Sequence, residues 1–205
     1  MKNKIIELIE TLKFNGMAMA LDSQITLAEN GTAAPEIICN LLHEELRFRQ
    51  ERSMQNRLKN AKMPWEWTLN SFPFKKQPDV NKNQIMTLAG LDFLQRGENI
   101  IFHGKTGVGK SGLAVGILRQ ALISGFRGRF YDVQRLLDDL YASLADRSTT
   151  KLLNALCRYD ILVSFHSLKK IRVCLILLSH KINKLCKDSD FCFSKREMSL
   201  ILITL

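Results

Sequence analysis

Residues 104–111 have the types and the spacing of a loop that binds phosphate groups. The stretch follows the pattern G-x-x-x-x-G-K-[ST] without a mismatch: Gly104, Lys105, Thr106, Gly107, Val108, Gly109, Lys110 and Ser111. Its glycines allow a tight loop whose backbone N–H groups turn inward and form a concave anion site. We expect the Lys110 ammonium to reach the β- and γ-phosphates of a nucleotide, and the Ser111 hydroxyl to ligate Mg²⁺.

The residues on either side of this loop predict the elements that hold it. Asn99–Phe102 is a short apolar run that is typical of a buried parallel strand. After the loop, hydrophobic residues recur at helical spacing, at Leu113, Ala114, Ile117, Leu118, Ala121 and Leu122. A helix that begins here directs its partial positive charge at bound phosphates. A chance glycine loop is the alternative, and the order of strand, loop and helix argues against it.

Further strands and helices are predicted around this unit. One helix is expected ahead of it, from about Lys82 to Gln95. Arg129–Asp132 predicts a second strand and Tyr159–Val163 a third, with an amphipathic helix and a short helix over Lys151–Leu156 between them. Strands that alternate with helices are typical of a parallel sheet with crossover helices.

The N-terminal part of the chain carries hydrophobic residues at helical spacing. One helix is predicted over residues 4–14 and a second over residues 17–28, with Gly16 as the break between them. The apolar face of the first helix consists of Ile5, Leu8, Ile9 and Leu12. A long helix is predicted from Ile37 to about Lys62, where Pro64 stops it.

The second half of that long helix is strongly basic. Glu51 is the only acid between residues 47 and 62, whereas six cations lie there: Arg47, Arg49, Arg52, Arg57, Lys59 and Lys62. Cations on successive helical turns could neutralise the phosphates of DNA. A solvated face that pairs in part with Glu44 and Glu45 is the alternative, and we weigh it somewhat above DNA contact.

Residues 64–82 are predicted to be a linker, because they hold three prolines and a cluster of aromatic side chains. The aromatic residues are Trp65, Trp67, Phe72 and Phe74. Such rings can stack on nucleic-acid bases. The favoured interpretation is that they pin an extended segment to the neighbouring domain.

Composition narrows the class of protein. The 205 residues carry a net charge of +10, which favours polyanionic partners, nucleic acid first. The charged N-terminus does not resemble a signal peptide, and no apolar run approaches the ~20 residues that cross a bilayer. Five cysteines without a regular framework are typical of reduced thiols. We therefore expect a cytoplasmic protein without a membrane partner.

Three stretches carry a resemblance to a known family. Leu12–Met17, Leu91–Asn99 and Arg129–Tyr131 resemble the IstB family, the helper ATPases of bacterial insertion sequences, which are similar to the replication proteins DnaC and DnaA. The resemblance covers roughly residues 5–163. It implies an α/β fold, a P-loop NTPase of the AAA+ class, whose parallel sheet core follows an all-helical N-terminal module. It also implies ATP and Mg²⁺ as cofactors, and homo-oligomers on DNA that assist the transposase of the same insertion sequence.

The resemblance suggests a division of the chain. Residues 1–63 are expected to form the helical DNA-binding or oligomerisation module, followed by the linker at 64–82. Residues 83–163 are expected to form a partial AAA+ domain, and 164–205 a divergent tail.

The chain departs from the family where the Walker B acids belong. Ser164, Phe165 and His166 follow the predicted third strand, and no Asp or Glu occurs from Ile161 to Lys187. One acid normally organises Mg²⁺ and the next positions the attacking water. Asp160 lies too early to replace them. We therefore predict that ATP hydrolysis is severely weakened and leave the catalytic residues unassigned.

The tail has a different composition from the rest of the chain. Residues 161–205 hold eight Lys and Arg against three acids and contain neither Gly nor Pro. This change favours a reading-frame shift in an ancestral gene over genuine divergence. Two apolar runs, Val173–Leu178 and Leu200–Leu205, could each add a strand to an incomplete sheet or merely aggregate. The spacing of Cys174, His180, Cys186 and Cys192 is wrong for a structural zinc site.

Two functions are consistent with these features. The first is an ATP-binding helper protein of DNA transposition with impaired hydrolysis. The alternative is a non-enzymatic DNA-binding or assembly remnant of such an ATPase. A small-molecule kinase shares the P-loop, but residues 112–160 suggest neither a substrate lid nor a catalytic base.

Overall fold

The computed structural model describes residues 2–78, 80–167, 172–178 and 200–204. The chain divides into two compact units, Met1–Asn56 and Arg57–Leu205. The domain boundaries predicted from the sequence, at residues 63, 82 and 163, stay a prediction. None of the described helices is long and apolar enough to cross a membrane.

The first unit is built from helices. It contains α1 (Lys2–Thr11), α2 (Asn15–Glu29) and most of α3 (Ala34–Asn60). Pro35 lies in the first turn of α3, where the missing N–H costs nothing. Only Ile9 and Leu21 are buried apolar side chains among the described residues of this unit, so most of the predicted apolar face of α1 is exposed.

Gly16 is part of α2, and the prediction that it separates two helices is wrong. The helix begins one residue earlier, at Asn15, and Gly16 is buried. A Cβ atom on Gly16 would lie 2.6 Å from the Glu44 carbonyl oxygen and 2.7 Å from the Glu45 Cα. The glycine is therefore needed for the close approach of α2 to α3.

Before its sheet begins, the second unit contains two short 3₁₀ turns and two short helices. The turns span Leu69–Ser71 and Phe74–Lys76, and the helices are α4 (Lys82–Ala89) and α5 (Asp92–Arg96). The single helix predicted over this region is wrong. It is interrupted because Leu91 adopts a left-handed conformation, with φ of 66°.

The core of the second unit alternates strands and helices. Strand β1 (Asn99–His103) leads through the glycine loop into α6 (Lys110–Ile123), and β2 (Gly128–Asp132) follows. Helices α7 (Val133–Ala145) and α8 (Thr149–Leu156) then precede β3 (Ile161–Ser167). The strands β4 (Arg172–Leu178) and β5 (Leu200–Thr204) complete the described elements. The two apolar runs of the tail therefore add strands.

The five strands form one sheet in the order β2-β3-β4-β1-β5. The pairs β2/β3 and β1/β5 are parallel, whereas β4 is antiparallel to both of its neighbours. Only residues 168–171 separate β3 from β4, and a parallel crossover needs about a dozen residues or more. The predicted α/β P-loop fold is confirmed, and its sheet is mixed because this connection is short.

Helix α6 is the centre of the hydrophobic core. All six of its predicted core residues are fully buried: Leu113, Ala114, Ile117, Leu118, Ala121 and Leu122. Ile100, Phe102, Ile161 and Val163 from the strands beside it are also fully buried. Because α6 is covered along its length, its N-terminus and the preceding loop are held in one position.

Candidate nucleotide-binding site

Lys110 is the first residue of α6, and its side chain is only 4% exposed. Its Nζ donates hydrogen bonds to the backbone carbonyl oxygens of Gly104, at 2.8 Å, and Lys105, at 2.5 Å. The ammonium group is therefore held beneath the loop, at the carboxyl end of β1. The positive charge of Lys110 therefore lies beside the loop backbone that would surround a bound phosphate group.

All three glycines of the loop have conformations that other residues rarely adopt, and Gly104 has φ of 151°. Gly107 has φ of 95° and Gly109, which precedes α6 as its N-cap, has φ of 89°. A side chain on Gly107 would meet nothing within 4 Å, whereas one on Gly109 would meet the ring of Phe72 at 2.5 Å. The loop is thus open on the side of Gly107 and closed by an aromatic ring on the side of Gly109.

The segment Trp67–Phe72 packs directly on the glycine loop and on α6. Added Cβ atoms on Gly112 and Gly116 would lie 2.5 Å from the Trp67 ring and 2.6 Å from Leu69 Cδ2. Leu69 and Phe72 are themselves buried in the core. The glycines of α6 therefore allow an aromatic and aliphatic segment to lie against the first two turns of the helix.

A cavity of about 310 Å³ opens where this segment meets the glycine loop. It is lined by Trp65, Trp67, Gly107, Gly109, Lys110, Ser111 and Gly112. Its volume lies at the lower end of the range of roughly 300–1,000 Å³ for small-molecule sites. The cavity joins the predicted phosphate-binding residues to two tryptophan rings.

The register of the sheet places the residues that replace the expected Walker B acids. Through β4, Ser164 is level with Ile101, and Phe165 is level with Phe102. Both residues therefore lie near the carboxyl end of β3, at the same edge of the sheet as the glycine loop. Asp160 precedes β3 at the opposite edge, where its carboxylate accepts a hydrogen bond from the Arg127 backbone N–H at 2.7 Å.

The donor set for a metal is small at this edge. No group of three or more His, Cys, Asp or Glu side chains that could hold a metal ion occurs among the residues that the structure describes. Ser111, in the first turn of α6, offers one hydroxyl oxygen. Mg²⁺ commonly keeps several waters and binds through substrate phosphates, so one protein ligand is compatible with a nucleotide-bound ion. For the zinc alternative, His180, Cys186, Cys192 and the side chain of Cys174 lie outside the described residues.

The basic segment of α3 is divided between different roles. In the first unit, Arg47 pairs with Glu44 and Arg49 pairs with Glu45, each at 2.6 Å. In the second unit, Arg57 Nε donates to the Leu122 carbonyl oxygen at 2.9 Å, at the end of α6. Within the described part of the chain, Arg52, Lys59 and Lys62 have no ion-pair partner.

Glu45 is a buried carboxylate that holds two elements of the first unit. It accepts hydrogen bonds from the backbone N–H groups of Gly16 and Met17, at 2.7 and 3.2 Å, in the first turn of α2. Burial alone would raise the pKa of the Glu45 carboxyl, but the hydrogen bonds from Arg49, Met17 and Gly16 outweigh burial and lower the pKa. Glu45 therefore caps α2 as an ionised group.

The sequence alone did not identify the surroundings of the glycine loop. The sequence predicts that Trp65 and Trp67 are base-stacking or anchoring residues of a linker, and it gives no link to the loop. Two glycines inside a predicted helix, Gly112 and Gly116, were the available signal. Glycine lowers helix stability and therefore often marks a close contact.

Comparison with known proteins gives the family. Residues 7–167 match the family described as IstB-like ATP binding protein. A relative from Pseudomonas aeruginosa, named as an ATP-binding protein of insertion sequence IS21, is 35% identical over 62% of this chain and 48% of its own length. One from Geobacillus stearothermophilus, named for ATP binding in insertion sequence IS5376, is 30% identical over 80% of this chain and 65% of its own length.

A third relative, from Mycobacterium tuberculosis, is also named as an ATP-binding protein in an insertion sequence. It is 33% identical over 68% of this chain and 56% of its own length. The chain thus spans about half to two thirds of the length of these curated relatives. The family match covers the helical unit, the glycine loop and the strands up to the end of β3. The chain therefore belongs to the family of IstB-like ATP binding proteins.

Proposed function

We propose that this protein is an ATP-binding helper of DNA transposition whose capacity for ATP hydrolysis is impaired. The observation that carries the ATP-binding part is the position of Lys110. Its buried ammonium lies between the end of β1 and the start of α6, beneath a loop whose glycines leave room for phosphate groups. The names of the relatives support ATP as the nucleotide.

Each residue of the loop has a defined part in the proposed binding. The backbone N–H groups of residues 107–111 and the N-terminus of α6 stabilise the negative charge of the phosphates. Lys110 exchanges its bonds to the carbonyl oxygens of Gly104 and Lys105 for bonds to phosphate oxygens. Ser111 supplies the single protein hydroxyl for Mg²⁺. The bound nucleotide supplies the remaining anionic ligands of that ion.

The proposed loss of hydrolysis follows from the end of β3. Efficient hydrolysis needs one carboxylate that organises Mg²⁺ through its waters and a second group that orients the attacking water. At the level of the glycine loop, β3 offers the hydroxyl of Ser164 and the ring of Phe165, and neither is a carboxylate. We expect nucleotide to bind and turnover to be at least a hundredfold slower than in a relative that carries the acids.

The proposal includes DNA, the transposase and other copies of the chain as partners. The support is the net charge of +10 and the basic second half of α3. In the first unit, the arginine without a described ion-pair partner is Arg52, while Arg47 and Arg49 are more than half exposed beside their glutamates. The Arg47–Glu44 pair is exposed, and such pairs contribute little to stability, so Arg47 can exchange its carboxylate partner for a phosphate. Arg49 pairs with the buried carboxylate of Glu45 and keeps that structural contact.

Binding of a fluorescent ATP analogue in the presence of Mg²⁺ tests the central claim. The wild type should bind, and Lys110→Ala should lose at least tenfold in affinity while keeping its circular dichroism spectrum. Lys151→Ala, at an exposed position of α8, is the matched lysine control and should bind like the wild type. Equal affinity in Lys110→Ala and the wild type would contradict the proposal.

The rate of phosphate release tests the proposed impairment of hydrolysis. The helper with impaired hydrolysis and the non-enzymatic remnant both predict a rate that Lys110→Ala barely changes. A robust rate that Lys110→Ala abolishes would show an active ATPase and disprove the proposed impairment. A wild type that binds neither nucleotide nor DNA would disprove both functions.

A further inference from the structure

The two tryptophans of the chain both line the cavity beside the glycine loop. Trp65 is 49% exposed and Trp67 is 41% exposed, although indole rings are among the side chains that gain most from burial. No ion pair or aromatic contact of the described residues accounts for their position. The exposed surface of both side chains is therefore available to a ligand in the cavity.

Trp67 is held in place by the segment that follows it. Its six-membered ring lies so close to Gly112 that an added Cβ there would be 2.5 Å from Cε3 and 2.6 Å from Cζ3. Two residues later, Leu69 packs on Gly116 and is only 8% exposed. The ring therefore rests on the first turn of α6 at Gly112, two residues after Lys110, and does not depend on a ligand for its position.

The cavity offers few side-chain groups that could recognise a base by its edge. Among its described lining residues, the polar side-chain groups are the Lys110 ammonium, the Ser111 hydroxyl and the two indole N–H groups. The proposed function assigns the first two to phosphate and Mg²⁺. The indole N–H groups only donate, so they cannot accept a hydrogen bond from the exocyclic amino group that distinguishes adenine.

We propose that Trp65 and Trp67 form a platform on which the base of the bound nucleotide stacks. This platform favours purines, because their rings are larger, and does not distinguish adenine from guanine. This inference rests on the proposed nucleotide binding and concerns how the same site binds the base. Every base has an aromatic face, so stacking accepts any base and is stronger for the larger rings of purines. Because the phosphates and the platform belong to one cavity, a single nucleotide contacts both.

Affinities for four ligands separate the platform from the phosphate site. ATP, GTP, CTP and inorganic tripolyphosphate are titrated in the presence of Mg²⁺ against the full chain by calorimetry. The wild type should bind ATP and GTP within about threefold of each other and CTP several-fold more weakly. Trp67→Ala should weaken ATP and GTP about 10- to 100-fold, with tripolyphosphate unchanged. Trp65→Ala should act in the same direction, and Trp67→Phe should keep part of the affinity.

Several outcomes of these titrations overturn the inference. If the ratio of ATP affinity to tripolyphosphate affinity is unchanged in both tryptophan-to-alanine variants, the tryptophans do not bind the base, and only the phosphate site is supported. A preference of more than tenfold for ATP over GTP would show that the base is read by its edge. Tyr141→Ala, which removes an aromatic ring that is 71% exposed on α7, is the matched control and should change none of the four affinities.

Failure of the proposed function gives a different result. If the wild type binds neither ATP nor tripolyphosphate, both the proposed phosphate site and the proposed platform are disproved. Tryptophan fluorescence gives an independent reading, because the only two tryptophans line the cavity. ATP should quench it in the wild type and not in Lys110→Ala. Quenching by single-stranded DNA and not by ATP would assign the rings to DNA and overturn the inference.

Discussion

The ring of Phe72 occupies the space that a side chain on Gly109 would fill, at 2.5 Å from the position of an added Cβ. Gly107, two residues earlier in the same loop, has a similar backbone conformation and an open space at the same point. Alanine at either position is strained by a positive φ, and only at Gly109 does it also meet a ring.

We expect the two alanine variants to differ in stability. Gly107→Ala should lower the free energy of unfolding by about 1 kcal/mol through backbone strain alone. Gly109→Ala should lower it by about 3 kcal/mol, because the clash with Phe72 adds to the strain. Urea unfolding measures both, and a double-mutant cycle with Phe72→Ala should show a coupling of about 1–2 kcal/mol. Equal losses in the two single variants would show that Phe72 moves away without cost.

The close approach of α2 to α3 makes a second prediction. Gly16→Ala should lower the free energy of unfolding by about 3 kcal/mol, because its Cβ would meet the backbone of Glu44 and Glu45. Gly31→Ala, at φ of 91° with nothing within 4 Å, should cost only about 1 kcal/mol. Urea unfolding followed by circular dichroism at 222 nm tests both. A Gly16→Ala variant as stable as Gly31→Ala would mean that the helices separate readily.

Glu45 predicts a dependence of stability on pH. Since its pKa in the folded protein is lowered from the ordinary value of 4.5, its contribution is present above that value and is lost as pH falls through the folded pKa. Glu45→Gln should cost about 1–3 kcal/mol at neutral pH, because the α2 N–H groups and Arg49 lose a charged partner.

The stability difference between the wild type and Glu45→Gln should therefore shrink as the pH is lowered below 4.5. Urea midpoints at stepwise lower pH measure this difference, and Glu51→Gln, at an exposed position of α3, is the control. A difference that stays constant down to the acid transition would assign the effect to packing instead of charge.

The six cations predicted to contact DNA should fall into different groups. Arg57→Ala should lower the free energy of unfolding by about 1–2 kcal/mol, because the Leu122 carbonyl oxygen loses its donor. Arg52→Ala should change stability by less than about 0.5 kcal/mol. Under the proposed DNA binding, it should reduce the slope of log affinity against log salt by about 0.9 on duplex DNA.

Gel shifts at several salt concentrations, together with urea unfolding, measure both effects. Lys151→Ala again serves as the control for loss of one positive charge. An unchanged salt slope in Arg52→Ala would show that Arg52 does not contact the DNA phosphates.

The sequence predicted the elements that depend on local patterns. The strand, loop and helix around Lys110 follow from an apolar run, a glycine pattern and a helical spacing, and all of the predicted α6 core residues are buried. The break at Leu91 could not be predicted, because a leucine with φ of 66° is held there by its tertiary surroundings and not by its propensity. The role of Gly16 was missed for the same reason, since the contact that needs it lies in α3.

The direction of β4 and the surroundings of the loop required the structure. Hydrophobic periodicity indicates that 173–178 can form a strand, but its direction depends on the length of the connection from β3. The cavity with Trp65 and Trp67 arises from the packing of Leu69 and Phe72 on glycines far along the chain. Spacing within one segment carries no information on such contacts.

The position of β1 in the sheet has a consequence for the order of folding. Its neighbours, β4 and β5, are made long after it: Ile100 pairs with Ile176 and with Ile201. Such distant pairings close large loops and form slowly compared with helices. The strand that leads into the glycine loop therefore stays unpaired while α6 can already form. Refolding monitored by the fluorescence of a bound nucleotide analogue should lag behind refolding monitored by helical circular dichroism, because the strand that leads into the site pairs with residues far along the chain.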